Sequence, residues 1–449
     1  MPHFFGTDGI RGQVGEGFFV PERLVVIGRA IGAWVVKRAS HGKKPRVLLL
    51  HDTRVSCDFI KSAVLRGMHM HPVETYDAGV LPTPAASYFA DLFDVAVIIS
   101  ASHNPWHDNG IKIIDKSGKL CLADEIELSR LIVDIEHANI HARVAPIGAQ
   151  AGVARCFADA QKLYCQKVIA HFPPNLLCGK KIVLDCAHGA TYRVAPAIFG
   201  ASGADVIVLN DRPDGRNIND NCGAVHPEEL ARTVVGQAAD AGFAFDGDGD
   251  RVIAVNRHGE IKDGDDLLAL LSTHPAYADQ QALVGTILSN YGLERFLSEQ
   301  GKSLVRVSVG DKYVVEALNQ TNGVLGGEQA GHIILKDMLA TGDGILSALR
   351  VAETIELTHN EDMRTFAKYP QVHRDIPLSV DKAICQRAVE EAVDSAQARL
   401  NRGRLVVRFS GTQPVLRIMA EASLYDDASA IVDELDLNIR QLLKDFYGE

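Results

Sequence analysis

Three segments of this chain repeat one design, in which an apolar, β-branched run passes into a small or polar loop and then into a helical pattern. They are RVLLLHDTR at 46–54, KIVLDCAHGA at 181–190 and ALVGTILSNYGL at 282–293. Runs of this length without polar alternation suit strands buried on both faces of a largely parallel sheet. Helices must cover such a sheet, so the repeat predicts α/β domains. Strands of the same kind are predicted at 95–100, 206–210, 241–246 and 304–309. A stretch rich in Gly and Ala at 147–153 reads as a join between domains, and Pro370 and Pro377 mark a second join over 369–377. Beyond it, a helix-like segment, strands at 404–409 and 415–421 and a closing helix to Phe446 predict a small separate α+β domain.

The 449 residues exceed what one hydrophobic core usually serves, which favours several domains. With 47% hydrophobic and 23% charged residues, the chain can bury ample apolar surface. Lys and Arg number 46 against 57 Asp and Glu, and the resulting net charge of −11 argues against a surface built to neutralise nucleic-acid phosphates. No apolar run approaches the roughly 20 residues of a bilayer span, and the N-terminus lacks the apolar core of a signal peptide. The expected setting is therefore cytoplasmic, with no nucleic-acid or membrane partner. Eight cysteines, at 57, 121, 156, 165, 178, 186, 222 and 385, form no CxxC pair and read as reduced thiols, mostly in the core.

Four loops hold residues with chemistry to offer. SASHNP (100–105) follows a predicted buried strand, which puts Ser102 at the carboxyl end of a sheet strand, where open α/β sheets place ligands. A serine there can carry phosphate if neighbours activate its weak hydroxyl, although the loop alone reads more simply as a turn of Ser, Asn and Pro. DGDGDR (246–251) sets Asp246, Asp248 and Asp250 at alternate positions around flexible glycines, so their oxygens can converge on one hard cation. It is no EF-hand, since Arg251 stands at the sixth position and Arg257 at the twelfth. Carboxylates packed this densely repel unless a cation compensates. GGEQAGH (326–332) offers Glu328, Gln329 and His332 on a flexible loop. RFSGTQP (408–414) with Arg417 gathers Arg408, the hydroxyls of Ser410 and Thr412 and the amides around Gly411 into a possible phosphate cradle. Arg11 in FGTDGIRG (5–12) and Lys112 in NGIK (109–112) complete the set.

In this order, SASHNP, DGDGDR, GGEQAGH and RFSGTQP resemble the phosphoserine, metal, sugar and phosphate loops of the α-D-phosphohexomutase superfamily, over residues 4 to about 421. The resemblance implies an α/β fold of three similar mixed-sheet domains plus a small C-terminal α+β domain around a central cleft, at 1–150, 151–254, 255–369 and 370–449. FGTDGIRG, NGIK, LSNYGL (288–293) and GEQ are most similar to the bacterial members that act on glucosamine phosphates. Phosphomannomutase/phosphoglucomutase relatives, the alternative reading, usually differ in the N-terminal motif and carry GEMS-like sugar loops.

The activity so implied is an isomerase reaction, the interconversion of glucosamine 6-phosphate and glucosamine 1-phosphate through a sugar 1,6-bisphosphate, supplying a precursor for UDP-N-acetylglucosamine and cell-wall synthesis. Ser102 would carry the transferred phosphate after an activating phosphorylation, and one Mg²⁺ would be held by Asp246, Asp248, Asp250 and the Ser102 phosphate. Arg251 and Arg11 would bind the transferring group. Lys112 would be the first candidate for acid–base work, given neighbouring cations that lower its pKa, and His332 the second. Glu328 would hold sugar hydroxyls, while Arg408, Ser410, Gly411, Thr412 and Arg417 would grip the other phosphate. His103 reads as a structural member of its turn. A monomer or homodimer is expected. His51 and Cys57 in place of glycines, Phe409 of proline, Gln413 of glutamate and Ala330 of serine depart from the family pattern, which bears on loop rigidity and substrate preference. A haloacid-dehalogenase-like phosphatase, another user of spaced aspartates, would carry phosphate on Asp246 instead of Ser102.

Overall fold

The computed structural model describes residues 4–6, 8–39, 43–116, 118–139, 152–378, 389, 392–394, 396–397, 400, 403–409 and 415–447. The first sheet contains β1 (Ile10–Gln13), β2 (Arg46–His51), β3 (Glu74–Val80), β4 (Val95–Ile99), β5 (Asp108–Asp115), β6 (Gly118–Lys119) and β7 (Val153–Cys156). Their order is β1-β5-β4-β2-β3-β7, with β6 beside β5. The second sheet contains β8 (Lys181–Asp185), β9 (Asp205–Leu209), β10 (Ala241–Phe245), β11 (Val252–Asn256) and β12 (Ile261–Lys262), ordered β12-β11-β10-β8-β9. The third contains β13 (Ala282–Thr286), β14 (Ser303–Val307), β15 (Leu325–Gly327) and β16 (Ile333–Leu335), ordered β14-β13-β15-β16. The predicted apolar runs thus become strands within a few residues of their expected bounds.

The three sheets share a plan. Each has a parallel triplet, β3-β2-β4, β9-β8-β10 or β14-β13-β15. The last strand of each triplet then turns back into an antiparallel neighbour, β5, β11 or β16. A short connection can only deliver an antiparallel strand, because a parallel one needs a long crossover. The short connections are residues 100–107, 246–251 and 328–332, so three of the four motif loops occupy one topological position in three copies of one unit.

Packing binds the three units into one body. Leu48, Leu50, Ala96 and Ile98, on one face of the first sheet, share a continuous apolar core with Tyr164, Leu184, Phe243, Leu268 and Leu346 from the other two units. The opposite face, with Val47, Leu49, Val97 and Ile99, packs with residues of helices Pro21–Arg38 and Cys57–Met68. The expected join at 147–153 lies mostly outside the described residues, and Val153 itself begins β7, which pairs with β3 and carries the first sheet past that point. Of the seven described cysteines, all free, Cys57, Cys186 and Cys222 are buried; Cys121, Cys156 and Cys178 are exposed and Cys165 lies between. The expectation of mostly core thiols fails because several sit at element edges, such as Cys156 on the edge strand β7; Cys385 lies outside the described residues. Among the described residues no helix is long and apolar enough to cross a membrane.

The C-terminal unit is a sheet of β17 (Gln371–Pro377), β18 (Gly403–Phe409) and β19 (Val415–Ala422), ordered β17-β19-β18, under helix Tyr425–Tyr447. Pro377 was expected to mark a break, yet it ends β17 opposite Val415. Proline is tolerated because β17 is an edge strand with no further ladder to feed. The unit has its own core, including Val372, Ile376, Leu416, Ile418, Val432 and Leu435. The helix-like segment predicted before β18 lies mostly outside the described residues.

A buried charged joint seats this unit on the third one. Glu421 is fully buried and pairs with Arg404, and its carboxylate also accepts hydrogen bonds from the Tyr291 amide at 3.2 Å and Gln371 Nε2 at 2.7 Å. The Arg404 guanidinium donates onward to the carbonyls of Ile287 and Ser289, each at 2.5 Å. LSNYGL is therefore a seat for the last unit. Removing one member of a buried pair strands the other charge. Arg404→Met is expected to destabilise the C-terminal unit by about 3 kcal/mol, measured as faster amide exchange in β18 and β19. Unchanged protection there would show that the joint contributes little.

Candidate active site

Ser102 follows β4 with φ +55°, a left-handed conformation that a serine adopts only when its surroundings impose it. The imposition comes from Arg54, which sequence reasoning passed over. Its buried guanidinium donates to the carbonyls of Ser102 (3.0 Å), Asn104 (2.7 Å), Asp108 (3.0 Å) and Pro105, and Nε pairs with Asp52 Oδ2 at 2.9 Å. Asn219 Nδ2 donates to the Ser102 carbonyl at 2.9 Å from the second unit. Ser100 Oγ donates to Asp52 Oδ2 at 2.6 Å and accepts from the Ser102 amide at 3.0 Å. Cys57, one of the departures from the family pattern, joins this network, its thiol donating to Asp52 Oδ1 at 3.2 Å. His51, another, holds the Asp52 carbonyl through Nδ1 at 2.7 Å.

The serine hydroxyl so aimed donates to Asp246 Oδ2 at 2.6 Å, and His103 Nδ1 stands 3.4 Å away. Asp246, Asp248 and Asp250 are all buried, with one oxygen of each within 4.8 Å of the others. Glycines make this approach possible: a Cβ at Gly247 would come within 2.6 Å of the Ser102 carbonyl, and Gly249 has φ +72°. Asp248 Oδ1 and Asp250 Oδ1 are buried without a hydrogen-bond partner, so the donor set fits a hard divalent cation with oxygen ligands. Thr83 Oγ1 fixes the other Asp248 oxygen at 2.6 Å.

Cations ring the triad. Lys112 Nζ lies 2.8 Å from Asp248 Oδ2, 2.8 Å from Asp8 Oδ2 and 3.8 Å from Asp250 Oδ2. Arg11 also pairs with Asp8, and Arg251 Nε lies 3.8 Å from Asp250 Oδ1. His332 places Nδ1 3.7 Å from Asp250 Oδ1 and Nε2 3.8 Å from Asp311 Oδ2. Glu328 Oε1 accepts from the Gly310 amide at 2.8 Å. Asp8, Asp52, Arg54, Thr83, Asn219 and Asp311 were not foreseen as site residues, although Asp8 and the Asp52–Arg54 pair stand inside motifs already quoted.

The electrostatics follow from burial and these contacts. Burial, then Asp250 and Asp248, push the Asp246 carboxyl well above the usual range. Burial also opposes ionisation of Asp250, but Lys112, His332 and Arg251 outweigh it and hold its pKa low. For Lys112, burial would lower the pKa, yet Asp248, Asp8 and Asp250 drive it well above the ordinary lysine value. The neighbouring cations expected to lower it are outmatched by three carboxylates, which corrects that expectation. His332 is likewise raised to about 9, burial being overcome chiefly by Asp250. His103 falls to about 4 through burial and then the field of Arg251 and Arg11.

Arg408 and Arg417 sit directly opposite each other on β18 and β19 and line a cavity of about 330 Å³ with Leu288, His373 and Asp375. Like charges in direct cross-strand register disfavour the sheet, and Asp375, opposite Arg417 on β17 with Oδ2 3.7 Å from its Nε, offsets part of that repulsion. Ser410, Gly411, Thr412 and Gln413 lie outside the described residues.

A serine hydroxyl aimed into a buried carboxylate triad, walled by three equivalent units, is matched by four family models. They are those of phosphoglucomutase/phosphomannomutase α/β/α domains I (residues 2–136), II (162–259) and III (263–371) and the C-terminal domain (381–437). The chain belongs to the phosphoglucomutase/phosphomannomutase family of phosphohexomutases. Among curated relatives it is 39% identical over 442 residues to a phosphoglucosamine mutase of Rhizobium etli, covering 96% of this chain and 97% of that one. It is 40% identical over 451 residues to the phosphoglucosamine mutase of Thermus thermophilus, covering 98% of each. A solved phosphoglucomutase/phosphomannomutase family protein from Burkholderia thailandensis, 23% identical, shares the fold with a TM-score of 0.78 over 98% of this chain and 97% of the other.

The Arg54 anchor is directly testable. Arg54→Met leaves Asp52 buried without its cation and takes one donor from each of four carbonyls, and is expected to cost about 3 kcal/mol in urea unfolding. Loss of the serine's orientation should also lower turnover by about 10²-fold. Wild-type turnover in this variant would show that Ser102 is oriented by something else.

Proposed function

We propose that the chain is a phosphoglucosamine mutase that interconverts glucosamine 6-phosphate and glucosamine 1-phosphate. The observation that carries this reading is the Ser102 hydroxyl, strained, buried and 2.6 Å from Asp246, in a chain whose full-length curated relatives are named phosphoglucosamine mutases. Ser102 in its phosphorylated form gives its phosphoryl group to the free oxygen of the sugar phosphate. The bisphosphate turns over in the cleft, and Ser102 takes back the other phosphate. One residue thus serves both ends of the sugar.

Phosphoryl transfer demands mainly positioning and charge stabilisation. Asp246, Asp248 and Asp250, with a Ser102 phosphate oxygen, would hold one Mg²⁺, which when bound supplies positive charge beside the transferring group. Arg251 and Arg11, whose field already reaches His103 beside the serine, donate charge-assisted hydrogen bonds to that group. Lys112 and His332, both favoured in the protonated form by their carboxylate neighbours, face the triad. The sugar hydroxyl that accepts the phosphoryl group passes its proton to the departing Ser102 oxygen. The sugar oxygen that later loses its phosphoryl group takes a proton from Lys112 or His332, which the Ser102 hydroxyl restores. Glu328 accepts sugar hydroxyls. Arg408 and Arg417, with Ser410, Gly411 and Thr412, hold the phosphate that is not transferred.

Purified protein with Mg²⁺ and a trace of sugar bisphosphate should convert glucosamine 6-phosphate to the 1-phosphate, in preference to glucose and mannose phosphates. Preference for mannose phosphate would replace the amino-sugar assignment. Ser102→Ala should fall below about one-thousandth of wild-type turnover while remaining folded, and intact mass should find acid-stable phosphate on the wild type only. Phosphate on Asp246 would defeat the phosphoserine assignment. Chelation should abolish turnover and Mg²⁺ restore it; activity that survives exhaustive chelation would remove the metal from the reaction.

A further inference from the structure

Lys119, on the short strand β6, lies in none of the four motif loops, yet its ammonium stands between two carboxylates from different units. Nζ is 2.5 Å from Asp8 Oδ1 and 2.6 Å from Asp311 Oδ2. Asp8 belongs to the first unit, while Asp311 opens helix Asp311–Thr321 of the third. Each carboxylate also reaches a second cation in the site. Asp8 uses its other oxygen on Lys112 at 2.8 Å, and Asp311 faces His332 Nε2 at 3.8 Å. Nε2 is buried without a hydrogen-bond partner, and Asp311 and Asp250 stand one off each ring nitrogen, with Glu328 adding its field to theirs.

We propose that Lys119 and Asp311 are positioning residues whose ion pair across the cleft fixes Lys112 and His332 relative to one another. The proposal rests on the mutase reading above. Neither residue contacts Ser102 or the triad directly; Lys119 acts through Asp8 on Lys112, and Asp311 acts on His332. With Lys119 neutral, Asp8 and Asp311 lose the cation they share, and the first and third units lose a bridge where they meet. The two candidate proton donors then lose their fixed spacing. The grip on the untransferred phosphate lies on the C-terminal sheet and is untouched, so the loss should fall on kcat.

The test compares wild type, Lys119→Gln, Asp311→Asn, their double variant and Lys119→Arg with saturating Mg²⁺. Each neutral single variant is expected to lose about tenfold or more in kcat, with KM within about threefold of wild type. The double variant should be no worse than about the poorer single, since one pair is broken in each case. Lys119→Arg keeps the charge and should recover to within about threefold of wild type. In parallel, Lys119→Gln should speed amide exchange in β6 and the first turn of helix Asp311–Thr321 while leaving β18 and β19 unchanged. Single variants within about twofold of wild type in kcat, or fully additive losses, would overturn the proposal. A wild type that prefers another hexose phosphate would sink the substrate assignment alone, and the same variants would be compared on that sugar. If the wild type turned over no hexose phosphate, unchanged exchange in Lys119→Gln would still overturn the bridge.

Discussion

Three carboxylates buried within 4.8 Å of one another are the constraint to which the rest of the structure answers. Their mutual repulsion has no solvent to screen it, so cations must come from the protein or from a bound ion. The first unit sends Lys112 and the third sends His332, while Arg251 follows the triad on its own loop. No single unit could neutralise the site. The cleft is therefore more than a space between domains, because the charge balance of its centre exists only when three units are assembled around it.

The fold meets that need by repetition. In each sheet a short return from the third parallel strand to an antiparallel neighbour makes a loop at the same position, and packing over a common core turns the three loops toward one another. One repeat carries the serine, the next the aspartates and the third the glutamate and histidine. Precision is then added locally. Arg54 and Asn219 hold the serine loop by its carbonyls from two units, and Gly247 lets the aspartate loop touch it.

Much of this was legible in the sequence because the strands are continuous apolar runs and the site residues are densely clustered in short loops. Ser102 and the aspartates could be singled out for that reason. Asp8, Arg54, Lys119 and Asp311 could not, since a lone charged residue reads as solvated surface, and their partners lie from 2 to more than 100 positions away. Lys112 was found, but its electrostatic setting was misjudged: no spacing rule shows that Asp8 and Asp248 would both close on it. Pro377 misled as a break because its compatibility with an edge strand depends on strand order, which local composition does not encode. The thiols at Cys121, Cys156 and Cys178 show a burial preference yielding to where topology happens to place a residue.

The continuous core has a consequence for how such a chain can change over time. Side chains of the first three units interlock, so a segment exchanged from a divergent relative would have to match partners in two other segments at once, and recombination inside residues 43–358 should be strongly penalised. The last unit is different. It brings its own core and meets its neighbour through the seat at 287–291, where the partners of Arg404 are backbone carbonyls that almost any residue would supply. A crossover near residue 370 therefore disturbs few side chains, and the C-terminal unit is the module that lineages can most readily exchange.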